Sequence, residues 1–203
     1  MTDFSIELNA DILRAALICT STGETRYYLQ GVSIEPNTRD LRVVSTDGHR
    51  LFCARLDVVT DVERFLIPAD ALGRALKGYK PEVLIVSREG NLWRAGDVVF
   101  TPIDGVFPDS WPRIIPKDPP QEPKHAVFNP AYLVDLVKIA VILDGKGSFP
   151  SVHADGQNPA LVTFGVREDC LAVVMPLRRD DDARTSQDLS ALVHSLTFIP
   201  TQA

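Results

Sequence analysis

One short pattern occurs three times in this chain at a nearly fixed interval, and it constrains the fold more than any single residue does. It reads Phe4-Ser5-Ile6-Glu7-Leu8-Asn9-Ala10, then Arg64-Phe65-Leu66-Ile67-Pro68-Ala69, then Ala126-Val127-Phe128-Asn129-Pro130-Ala131. Each copy is an apolar run, then Asn or Pro beside a small residue, then an amphipathic run. Asn9 precedes Pro68 by 59 residues and Asn129 by 120. Regular spacing of this size marks one supersecondary unit used repeatedly. The function then depends on how the units assemble.

Each unit reads as strand, helix and three strands. In the first, residues 4–8 alternate as a strand and Asn9 is placed to cap a helix. Ile12, Leu13, Ala16 and Leu17 stripe that helix, expected over residues 10–19. Residues 27–35, 41–45 and 50–56 are expected strands, the last two joined at Asp47-Gly48. In the second unit, strand 64–67 leads to a helix over 69–78, ended by Gly78 and Pro81. Strands at 83–87, 92–95 and 98–103 follow. In the third, strand 125–128 leads to a helix over 130–143 with proline at its favoured first position. Strands are expected at 152–154, 160–165 and 170–177.

This pattern predicts an α+β fold. Two units fill residues 1–116, and a proline-rich linker occupies 117–123. A single unit fills 124–179. Residues 180–203 begin with the acidic run Asp180-Asp181-Asp182 and continue into an expected amphipathic helix over 187–196. Leu189, Leu192, Val193 and Leu196 share one face of it.

With 203 residues, 45% of them hydrophobic, the chain can bury one or two cores. Residues 1–115 carry 13 basic and 16 acidic side chains, and residues 116–203 carry 8 and 11. Both parts are therefore mildly acidic, and any contact with nucleic acid must come from a local basic face. Met1-Thr2-Asp3 lacks the pattern of a secretory leader. The apolar stretch 133–143 is broken by Asp135 and Lys138 and is too short to cross a bilayer. Cys19, Cys53 and Cys170 are far apart and have no metal-binding spacing. Reduced thiols in a cytoplasmic protein without a membrane partner are expected.

The segments between the repeats carry a family resemblance. Arg26-Tyr27-Tyr28-Leu29-Gln30-Gly31-Val32, Ser45-Thr46-Asp47-Gly48-His49-Arg50-Leu51, Ile103-Asp104-Gly105-Val106-Phe107-Pro108-Asp109 and Val173-Val174-Met175-Pro176-Leu177-Arg178 occur in that order. They resemble signatures of the bacterial sliding clamp, the beta subunit of DNA polymerase III. The resemblance implies a DNA-clamp fold of about one and a half clamp domains. Residues 1–116 resemble the whole middle domain, and residues 124–179 resemble the second half of the last domain.

In that family, partner peptides dock between the middle and last domains. Matching motif positions implies Arg26, Tyr28, Leu29, Thr46, Gly48 and His49, with Arg50, Leu51, Pro108, Arg113 and Ile114, from the first part. From the second part come Asn129, Tyr132, Val173 and Met175, with Pro176, Leu177 and Arg178. Such a set suits a short peptide with apolar anchors. Met175 adapts to varied side chains, and the arginines suit carbonyls or acidic flanks. Taken without the resemblance, Leu29, Leu51 and Val173 are ordinary core residues on alternating strands.

The resemblance also implies helices that present cations to DNA phosphates without reading bases. The candidates are Arg14, Arg74, Lys77, Lys80 and Lys138, a sparse set that a solvated helix face explains equally well. No catalytic constellation, metal-ligand spacing or phosphate-binding loop is legible, and no cofactor is expected. Two functions follow. One is a processivity factor that binds the clamp-binding motifs of a polymerase and encircles or contacts duplex DNA, as an oligomer formed through the unpaired third unit. The other is a peptide-binding adaptor or decoy that does not encircle DNA. Gln187-Asp188-Leu189-Ser190-Ala191-Leu192 faintly resembles a clamp-binding peptide itself, although a covering helix is the plainer reading.

Overall fold

The computed structural model describes residues 3–118, 120–122 and 124–178. The helix expected over 187–196 and the peptide-like segment within it lie outside the described residues.

The first unit holds β1 (Phe4–Asn9), α1 (Ala10–Ile18), β2 (Gly31–Pro36), β3 (Leu41–Thr46) and β4 (Arg50–Leu56). The second holds β5 (Phe65–Pro68), α2 (Ala69–Leu76), β6 (Val83–Glu89), β7 (Leu92–Ala95) and β8 (Val98–Phe100). The third holds α3 (Pro130–Asp144), β9 (Pro150–Asp155), β10 (Asn158–Phe164) and β11 (Cys170–Val174). The helices begin where the sequence places their caps. Asn9 Oδ1 accepts from the amides of Asp11 and Ile12, both at 3.0 Å, and Asn129 Oδ1 accepts from Ala131 N at 3.0 Å. Each bond satisfies an amide that the helix leaves without a partner.

The strand preceding each of the first two helices is exchanged between units. β1 pairs antiparallel with β6, and β5 pairs antiparallel with β2. Neither of the first two units therefore completes its sheet alone. One sheet has the order β1-β6-β7-β8, and the other has β5-β2-β3-β4-β11-β10-β9. The third unit enters this larger sheet through β11, which pairs with β4 from Cys170↔Ala54 to Val174↔Arg50. α1 lies beside both α2 and α3. One core spans all three units, with Ile12, Phe52, Leu72, Leu84, Ile139 and Phe164 almost wholly buried. Each such side chain contributes on the order of 2 kcal/mol by leaving water. Buried Ser45 donates to Ala16 O at 2.6 Å, tying β3 to α1.

Four expected strands differ, one of them the last, which ends at Val174 rather than at residue 177. Residues 24–29 form a 3-10 turn, so the first strand after α1 begins only at Gly31. At Gly31 the backbone lies close to the neighbouring strand, where a Cβ would meet Ile67 O at 2.7 Å. β8 ends at Phe100 rather than at residue 103. Residues 125–128, expected as a strand, have no ladder partner among the described residues. Their analogue β1 is held by a neighbouring unit's sheet, and alternation alone does not make a strand without such a neighbour.

Candidate functional site

The turn between β3 and β4 is built from its own side chains. Asp47 Oδ1 accepts from His49 N at 2.8 Å and Arg50 N at 2.9 Å. Thr46 Oγ1 donates to Arg50 O at 2.6 Å and accepts from Gly48 N at 3.0 Å. Gly48 has φ +91°, the left-handed region where a Cβ is strained. A Cβ on Gly48 would also meet Arg26 Nη1 at 2.5 Å, so Arg26 packs directly over the turn.

The third unit closes onto this turn. Leu51 faces Val173 across the β4–β11 ladder, and Met175 N donates to His49 O at 2.8 Å beyond the strand end. Arg50 Nε donates to Asp47 Oδ2 at 3.1 Å, and Arg50 Nη1 donates to Asp135 Oδ2 on α3. The guanidinium carbon lies 4.7 Å from the centre of the Tyr132 ring. That ring stacks on His49 with centroids 6.1 Å apart. Lys138 Nζ binds the other Asp135 oxygen at 2.7 Å. Leu177 N donates to Val127 O at 2.7 Å, anchoring the segment after β11.

Burial sorts the expected residues into two groups. Leu29, Leu51 and Val173 are at most 2% exposed and belong to a compact cluster with Val44, Leu66, Phe107 and Trp111. They are closed to solvent. Of the others, Leu177 is 48% exposed, Met175, Pro176 and Tyr28 are half-buried, and Arg26, Gly48, His49 and Arg178 are exposed. Thr46 is buried by its turn bonds. Asn129 is spent on the α3 cap, and Pro108 adjoins Phe107 and accepts from Trp111 N through its carbonyl at 3.3 Å. Arg113 and Ile114 line a pocket of about 220 Å³ with Pro120, Asp155, Asn158 and Pro159, none of them in the expected set. A larger opening of about 380 Å³ lies across the joint between the units, among Cys53, Trp111, Leu161 and Cys170.

Asp47, Val127 and Asp135 were missed as parts of this site. Asp135 carried a readable signal, a single carboxylate inside an otherwise apolar helical run. Burial raises its proton affinity, but hydrogen bonds from Arg50 and Lys138 outweigh this and hold its carboxyl below the usual range. Burial, with Asp47 nearby, pushes the Tyr132 hydroxyl up.

The cationic candidates on the helices are largely engaged. Arg14 bonds Asp11 at 2.6 Å and the Tyr79 carbonyl. Arg74 lies 3.7 Å from Asp70, and Lys138 pairs with Asp135. Lys77 and Lys80 are exposed and lie beyond α2, which ends at Leu76 rather than at residue 78, so the helix does not present them. The exposed face of α3 carries Leu133, Val134, Val137 and Val141. Among the described residues, no group of three or more metal-ligating side chains converges, and no helix is long and apolar enough to cross a membrane.

Residues 6–109 match the family model of the DNA polymerase III beta subunit, central domain. The beta sliding clamp of Proteus mirabilis is 36% identical over 105 residues, covering 47% of this chain and 28% of the relative. That of Escherichia coli strain K12 is 30% identical over 116 residues, covering 53% and 31%. The chain thus spans less than a third of the length of these curated relatives. Among solved structures, the beta subunit of Pseudomonas aeruginosa aligns with TM-score 0.68 and 19% identity, over 87% of this chain and 67% of that one. The Bartonella birtlesii sliding clamp bound to griselimycin aligns with TM-score 0.66 and 22% identity, over 86% and 66%. These likenesses extend the shared fold into the third unit.

Proposed function

The chain belongs to the family of the DNA polymerase III beta subunit, through its central domain, and from this premise we propose that it is a sliding-clamp-like protein of DNA replication or repair. It binds the clamp-binding peptide motifs of a DNA polymerase or another partner, and it acts in the cytoplasm, without catalysis. The observation that carries this reading is the joint between the first and third units. The Asp47-Gly48 turn and the segment after β11 come from chain regions more than a hundred residues apart. The β4–β11 ladder and the Arg50–Asp135 pair hold them side by side. An exposed Leu177 and a half-buried Met175 follow β11, whose Val173 belongs to a closed apolar cluster, and exposed apolar side chains at this joint suit a short peptide with apolar anchors. Titration with a Gln-Leu-x-Leu-Phe peptide tests it. Saturable binding at micromolar concentration is expected, and no binding at high micromolar concentration overturns it.

The second reading, a peptide-binding adaptor or decoy that does not encircle DNA, has its own support. Three of the five cationic candidates are paired with carboxylates on their own helices, and the exposed face of α3 is apolar rather than basic. Neutralising phosphates needs unpaired cations. Retention on closed circular DNA that is lost on linearisation supports a ring, whereas free passage with intact peptide binding supports the adaptor.

A further inference from the structure

The exchange of strands leaves one slot open. β1, which precedes α1, lies on β6, the first strand after α2. β5, which precedes α2, lies on β2, the first strand after α1. The first strand after α3 is β9, and it is the outer edge of the seven-stranded sheet. Among the described residues only Lys124 reaches this edge. Its amide donates to Ala154 O at 3.1 Å and its ammonium lies 2.6 Å from Asp155. Among the described residues, none pairs with the outer edge of residues 150–153. Val152 and Ala154 are half-buried, whereas Val32 and Ile34 on β2, opposite Ile67 and Phe65, are fully buried.

A strand of the right kind is written further along the chain. β5 and the start of α2 read Phe65-Leu66-Ile67-Pro68-Ala69-Asp70-Ala71, and residues 197–203 read Thr197-Phe198-Ile199-Pro200-Thr201-Gln202-Ala203. Both place an apolar residue two before an Ile-Pro pair's proline, and an alanine three after it. The register follows from the faces of the strands. Val152 and Ala154 pack against the shared core on either side of His153, as Val32 and Ile34 are buried in it on either side of Ser33. His153 therefore takes the place of Ser33, whose partner on β5 is Leu66.

We propose that residues 198–200 add as an antiparallel strand to the open edge of β9 in the same chain, with Phe198 opposite His153 and Ile199 opposite Val152. The reach is sufficient. Eight residues, 57–64, join β4 to β5, and 22 residues, 175–196, separate β11 from Thr197. Both connections cross three strand spacings, about 14 Å. Pro200 needs no ladder amide at the end of an edge strand, a position Pro68 already occupies in β5. The added strand satisfies the exposed backbone of β9 and removes an edge that otherwise invites association.

The test is disulfide formation in the full chain carrying H153C and F198C, with H153C and I199C as the register control. Facing residues of an antiparallel pair lie within disulfide reach, and neighbours along the strand point to opposite faces. The expected result is a bond within a single chain, mapped to positions 153 and 198, forming at least ~10-fold faster than in the control. Cross-linked dimers would assign the edge to a second copy and overturn the proposal, as would no bond above the control rate. Should these variants misfold, amide exchange at Val152 in the unaltered full chain decides. Slow exchange that quickens in Ile199→Pro is expected, and fast exchange in the unaltered chain overturns the proposal.

Discussion

Arg50 on β4 and Asp135 on α3 form an ion pair that joins the first unit to the third, with side chains only 11% and 20% exposed. Hydrogen bonds to charged groups are worth about 1.5–3 kcal/mol when solvent is largely excluded. Arg50→Met is expected to destabilise the protein by about 2 kcal/mol, because it also removes the contact with Tyr132. A double-mutant cycle with Asp135→Asn, followed by urea unfolding, should return a coupling of about 1–2 kcal/mol. Additive single effects would show that the two side chains do not stabilise the joint together.

The same pair sets an acid limit. Asp135 is held below the usual carboxyl range by Arg50 and Lys138 against the opposing effect of burial. Asp169 is lowered by its hydrogen bonds from Arg167. A carboxyl whose folded pKa is depressed contributes stability above its unfolded value, about 4. That contribution is lost as pH falls through the folded value. The urea midpoint should therefore be flat above pH ~5 and fall steadily below pH ~4. Asp135→Asn should make that fall shallower.

Buried and exposed members of the expected set should separate by phenotype. Leu51→Ala removes a fully buried side chain and is expected to cost about 3 kcal/mol of stability. Leu177→Ala truncates a half-exposed one and should leave stability within about 0.5 kcal/mol. If Leu177 contacts the peptide, calorimetric titration should show roughly tenfold weaker binding, about 1.4 kcal/mol. Equal peptide affinity for Leu177→Ala and the unaltered protein would remove Leu177 from the groove.

Gly48 sits at φ +91° beneath Arg26. Arg26 is flexible and can move aside, so the backbone sets the penalty. Gly48→Ala is expected to lose about 1–2 kcal/mol, with the unfolding midpoint as the measurement and no change in slope.

Burial pushes the thiols of Cys19, Cys53 and Cys170 up to about 12. At pH 8 each is ionised in only about one molecule in 10⁴, and the thiolate is the reactive form. An aromatic disulfide reagent should react slowly with the folded protein, and with all three thiols once urea unfolds it. Rapid reaction of the folded form at Cys53, which lines the opening at the joint, would show that this opening admits solvent more freely than its burial implies.

Local order was legible. Asn9 and Asn129 announced two helix starts because a cap bond involves residues two or three apart. Asp47-Gly48 announced its turn for the same reason. The strand expected over 27–35 starts only at Gly31, after a 3-10 turn over residues 24–29, and its partner β5 lies 36 residues further on, a pairing no local feature records. Tyr132 and Arg50 were both picked out by family resemblance, but their stacking was not. Nothing local to either residue records that β11 will lay α3 against the β3–β4 turn.

The repeat, the α+β pattern and the family are properties of the sequence alone, because periodicity, caps and motifs are written in neighbouring residues. Tertiary structure decided which of the matched residues are buried and which are exposed. It also decided that Arg50 is committed to Asp135, and that β9 is an edge strand among the described residues. Burial and strand pairing are set by segments far apart in the chain. An apolar residue reads the same whether it lines a groove or closes the core beneath it.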